Sequence, residues 1–102
     1  MSDTPGAVRI YHPWPAPVRA VPYDDPSDLW QMRRWVESQR AAGKTGARFT
    51  VDWREDTAVG VLHDDGGLIA EVRPSDFLVR TDRDWRVMGA GAFWRTYREA
   101  TA

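Results

Sequence analysis

Cysteine is absent from this 102-residue chain. That excludes a disulfide framework, a thiolate zinc site and a cysteine nucleophile, and leaves a small fold to be held by packing. A basic excess is lacking as well. The formal net charge is −1, which argues against a non-specific nucleic-acid binder, because neutralising phosphates takes a clear surplus of cations. Lysine is nearly missing: Lys44 stands against thirteen arginines, a bias that a GC-rich coding genome explains without any selection for guanidinium chemistry. No apolar run approaches the roughly 20 residues of a membrane span. The opening MSDTPGAVRIYHPWPAP has no basic stretch leading into an apolar core, so the reading is a soluble, intracellular protein with no membrane contact.

What is present is apolar and aromatic. Hydrophobic residues make up 42% of the chain, with six tryptophans, enough for one compact core in one domain. Four of the seven prolines fall in residues 1–17, which reads as a Pro-rich arm because proline removes a backbone donor and drives its neighbour toward extended geometry. Tyr11 and Trp14 are its candidate anchors. A single domain follows over residues 18–102, opening with a strand at Val18–Val21 that Pro22 ends.

Asp25-Pro26-Ser27-Asp28 predicts a helix start: Asp25 can accept from the free N–H groups of the first turn, Pro26 suits the first helical position, and Asp28 favours the positive end of the dipole. The helix extends over residues 26–42 and stops at Gly43, with Leu29, Met32, Trp35 and Val36 on its core stripe and Trp30 off its centre. Lys44-Thr45-Gly46 lacks the glycine-rich cradle of a phosphate loop. Residues 48–53 alternate, with Phe49, Val51 and Trp53 on one face. Residues 57–63 and 68–72 flank Asp64-Asp65-Gly66-Gly67 and predict a hairpin, as do residues 77–80 and 85–88 around a charged turn. After Gly89-Ala90-Gly91, Phe93 and Tyr97 are spaced as anchors on one side of a short helix.

Chemistry-bearing residues are sparse. The two histidines, His12 and His63, fall in the arm and at a strand end. His63-Asp64-Asp65 and Glu55-Asp56 are better explained as polar turns than as metal or acid–base sites. The expectation is no catalytic residue, no metal and no cofactor. The pairs Trp53-Arg54, Trp85-Arg86 and Trp94-Arg95, with Trp30 and with Arg83 in the second hairpin turn, carry the residue types most enriched at binding hot spots. In so small a domain the competing explanation is that several tryptophans fill the core, and at least three of the six are expected to be mainly buried.

The run Arg73-Pro74-Ser75-Asp76-Phe77-Leu78-Val79-Arg80, then Trp85-Arg86-Val87 and a closing Phe93-x-x-x-Tyr97, resembles a group of small bacteriophage accessory proteins. Those proteins carry a Pro-Gly-Asp-Tyr/Trp turn, a strand ending in Lys or Arg, a short hairpin and a final Phe-x-x-x-Tyr. The resemblance spans about residues 18–99, including an opening Val18-Arg19-Ala20 strand. It implies a phage or prophage origin and a place in the host bacterial cytoplasm; it carries over no catalytic residue and leaves Asp76 as a turn former. Ser75 stands where the pattern has glycine, which suggests a turn without a positive φ.

The fold expected is α+β: one helix packed on a strongly curved antiparallel sheet of about five short strands, curling toward a small barrel. The function expected is a non-enzymatic accessory protein that binds a host or phage protein through Tyr11, Trp14, Trp30, Trp53, Arg54, Arg83, Arg86, Trp94 and Arg95. The alternative is a nucleic-acid or nucleotide-binding module using Trp/Arg pairs on the curved sheet. A homodimer through an exposed edge strand is a further expectation.

Overall fold

The computed structural model describes residues 8–13 and 18–99. The architecture is α+β, with two helices and two antiparallel sheets. In chain order the elements are β1 (Arg9–Pro13), β2 (Val18–Pro22), α1 (Pro26–Ala41), β3 (Arg48–Arg54), β4 (Thr57–Asp64), β5 (Gly67–Val72), β6 (Asp76–Arg80), β7 (Trp85–Gly89), α2 (Ala90–Thr96) and β8 (Tyr97–Glu99). The larger sheet runs β7-β6-β2-β1-β8 and the smaller β3-β4-β5. Among the described residues both sheets are open, so the expected single sheet of about five strands and its small barrel are corrected to two sheets with free edges. The stretch read as an arm contributes β1, paired to β2 on one side and β8 on the other.

The sheet divides because β6 leaves β5 and pairs with β2. The turn between them is stitched to Tyr23, just past β2: Tyr23 donates its backbone N–H to Asp76 (2.8 Å), and Ser75 donates to the Tyr23 carbonyl (2.9 Å). The ladder then continues through Pro22 opposite Phe77 to Arg19 opposite Arg80. Within the turn, the Asp76 carboxylate accepts from the Arg73 backbone N–H at 2.9 Å. Ser75 has a φ of 75°, so the turn does need a positive φ and the expectation drawn from the missing glycine is overturned. That geometry crowds the β-carbon against the following carbonyl.

Helix α1 starts as its sequence dictates. The Asp25 side chain accepts from the Ser27 N–H at 2.8 Å, and the Asp28 carboxylate accepts from the backbone N–H of Asp25 at 2.9 Å, a reciprocal cap. Past the C-terminal end, Gly43 takes a φ of 73°, a conformation that costs glycine little. Its buried stripe is Leu29, Met32, Trp35 and Val36.

The five-stranded sheet buries apolar residues on both faces. Toward α1 and the smaller sheet point Val21, Leu78 and Trp85, packed with the α1 stripe and with Phe49, Ala58, Leu62 and Val72. Trp35 meets Trp85 edge to face, centroids 4.9 Å apart, a favoured geometry for aromatic quadrupoles. The opposite face carries Val18, Ala20, Phe77 and Val79, covered by Phe93 and Tyr97. Phe77 stacks on Phe93 with centroids 3.9 Å apart. The Phe93/Tyr97 pair thus closes the second core, with Phe93 in α2 and Tyr97 opening β8.

Candidate functional site

The tryptophans divide sharply. Trp35 and Trp85 are buried, while Trp30, Trp53 and Trp94 are 52%, 63% and 51% exposed; Trp14 lies outside the described residues. Trp30 sits on the solvent side of α1 with the Arg33 guanidinium 5.9 Å from its ring centroid. Trp53 alternates with Phe49 and Val51 on β3, its backbone opposite Ala58, yet its indole is exposed. Trp94 is braced edge-on by Phe77 at 5.5 Å and Phe93 at 5.1 Å, on the α2 side of the larger sheet. Trp94 therefore stands on a different layer from Trp30 and Trp53, and the expected contact residues do not converge on one patch. Tyr11 is in β1, its backbone opposite Val18 and Glu99.

The expected arginines are differently placed. Arg54 is ion-paired to Asp52 (3.1 Å) and to Glu71, which also pairs with Arg73 at 2.6 Å. This chain of charges spans the outer face of the smaller sheet. It raises the Arg54 pKa above its usual value, and hydrogen bonding from Arg54 first, then Arg73, holds the Glu71 carboxyl below its own. Arg86 approaches Asp84 at 3.4 Å. Arg83 is exposed in the turn before β7, and Arg95 in the last turn of α2. Two of the four are thus engaged by carboxylates within the fold.

A concave site exists elsewhere. Beside the C-terminal end of α1, an open cleft of about 500 Å³ is lined by Ile10, Arg19, Gln39, Lys44, Arg80 and Asp82, among others. Strand register builds it: Ile10 on β1 faces Arg19 on β2, Arg19 faces Arg80 on β6, and Arg80 faces Trp85 on β7. Directly opposed residues share a sheet face, so these side chains form one row. Arg80 is the fixed member. Its Nη2 donates to the Lys44 carbonyl at 2.8 Å, and its guanidinium carbon lies 4.6 Å from the Trp85 ring centroid. The indole behind it is anchored by Nε1–H donating to the Thr45 hydroxyl at 3.0 Å. Burial lowers the Arg80 pKa, with the Asp84 charge opposing.

Reading the residues in order missed this cleft. Arg19 is the lone charge of β2 and Arg80 the lone cation of β6, and only the pairing of β2 with β6 puts them together. Among the described residues no group of three or more His, Cys, Asp or Glu could hold a metal ion, and no helix is long and apolar enough to cross a membrane. Comparison with protein-family models, with curated proteins and with solved structures finds no match.

Proposed function

We propose that the protein is a non-enzymatic accessory protein of phage or prophage type, which binds a host or phage protein through exposed tryptophan and arginine. The observation that carries this reading is the exposure of three tryptophans, each by more than half, in a domain whose buried aromatic rings pack into two cores. Each such indole leaves a large apolar surface in water that burial against a partner would remove. Trp94 is the best prepared, because two phenyl rings hold it and little side-chain freedom is lost on binding. Trp53 is the most open, and it lies on β3, an edge strand of its sheet. The resemblance of residues 73–97 to small phage proteins supports the origin.

The test is affinity capture from bacterial lysate with mass-spectrometric identification, followed by titration of the purified partner. Trp30→Ala, Trp53→Ala and Trp94→Ala are compared with the parent chain. At least one substitution is expected to weaken binding by about 2 kcal/mol, the scale of a hot spot. A partner that binds the triple variant as tightly as the parent overturns the reading.

A further inference from the structure

The cleft beside α1 has a charge pattern that folding does not explain. Arg19 and Arg80 stand directly opposite each other on antiparallel strands, an arrangement that is unfavourable for like charges. Lys44 adds a third cation to the lining, and Asp82 is its one carboxylate among the described residues, on a chain whose net charge is −1. Among the described residues no carboxylate lies within ion-pair distance of Arg19 or Arg80, and only the more distant Asp84 charge acts on Arg80. Arg80 is moreover held rigidly, between the Trp85 ring and the Lys44 carbonyl. A guanidinium has five N–H donors, so most of those on Arg80 remain for a ligand. Beside the cations, Ile10 is an exposed apolar residue.

We propose that this cleft is a binding site for a small phosphate-bearing organic anion, with Arg19, Arg80 and Lys44 gathered on the phosphoryl group and the organic part against Ile10. Three cations set against one carboxylate match the double charge of a phosphomonoester better than the single charge of a carboxylate. Planar guanidinium forks suit phosphate oxygens, and a lysine supplies a point charge beside them. The volume of about 500 Å³ lies within the range of small-molecule sites. Bound phosphate would also relieve the repulsion between the two arginines. This inference is independent of the tryptophan surface and survives if that reading fails.

The test is calorimetric titration of the intact protein at low salt and about pH 7.5, where a phosphomonoester is mainly dianionic. The probes are phenyl phosphate, inorganic phosphate and benzoate. Phenyl phosphate is expected to bind saturably at one site with a dissociation constant below about 1 mM, and more tightly than either of the others. Arg19→Glu is expected to weaken it by about 10- to 100-fold, the loss of a charged hydrogen-bonding group. The same substitution places a carboxylate opposite Arg80, so its Tm should match or exceed that of the parent. That separates lost binding from lost folding. Absence of saturable phenyl phosphate binding, or unchanged affinity in Arg19→Glu, overturns the site. Benzoate binding as tightly as phenyl phosphate overturns the phosphate assignment, and inorganic phosphate doing so overturns the role of Ile10.

Discussion

The Tyr23 hydroxyl donates a buried 2.6 Å hydrogen bond to the backbone carbonyl of Ala58. It joins the segment that leaves the five-stranded sheet after β2 to the central strand of the three-stranded one. The same residue's backbone holds the Ser75-Asp76 turn, so one tyrosine ties together both sheets and the turn that separates them. Removing the hydroxyl in Tyr23→Phe leaves the Ala58 carbonyl without this donor and should cost about 1–3 kcal/mol, read by urea denaturation. Burial first, and then the charges of Asp25 and Asp28, raise the Tyr23 pKa above its ordinary 10.0. The folded state therefore holds this proton longer than the unfolded chain. The parent's stability should fall as pH rises above that value, and Tyr23→Phe should show a smaller fall.

Ser75 holds a positive φ that glycine adopts without strain. Ser75→Gly should therefore stabilise the fold by about 1 kcal/mol, after the entropy glycine adds to the unfolded chain. Thermal unfolding checks this: a Tm increase of about 4–8 °C is expected for a domain of this size. An unchanged or lower Tm would show that the turn is not strained.

Gly60 lies under the ring of Phe49. A β-carbon there would meet Phe49 Cζ at 2.4 Å and Leu29 Cδ2 at 3.1 Å. Gly60→Ala should destabilise by about 1–3 kcal/mol through overpacking. Combined with Phe49→Leu, part of that cost should disappear, so the double-mutant cycle is expected to be clearly non-additive.

Acid should loosen the outer face of the smaller sheet. The Glu71 carboxyl is held below its ordinary 4.5 by Arg54 and Arg73, so it stays ionised in the folded state when the unfolded chain has taken up the proton. Its contribution is fully present above that value and is lost as pH falls through the lowered folded-state pKa. Glu71→Gln should be less stable than the parent at neutral pH, and the gap should narrow on acidification. Denaturation midpoints measured from pH 7 downward test this; a constant gap would contradict it. Asp25, lowered chiefly by the Ser27 backbone N–H, adds a drop of the same sign in both proteins.

Much of the local structure was legible in the chain. The Asp25-Pro26-Ser27-Asp28 start, the Leu29-Met32-Trp35-Val36 stripe and the Asp64-Asp65-Gly66-Gly67 hairpin all appear where their spacing placed them. Exposure of individual aromatics was less so. Trp53 alternates as a core residue but is exposed, whereas Trp85, in a Trp-Arg pair of the same kind, became the buried wall behind Arg80. Nothing in a strand's own sequence says how far the opposing layer extends.

By itself the sequence determined the elements: caps, stripes, alternation and tight turns act over a few residues, and their energies are settled locally. Only the tertiary structure decided which strands meet. Pairing β6 with β2 rather than β5 splits the strands into two sheets and lets the larger one bury apolar residues on both faces. That gain depends on chain segments some sixty residues apart, as from Arg19 to Arg80. The same pairing sets those two cations side by side, a consequence of register that no local pattern encodes.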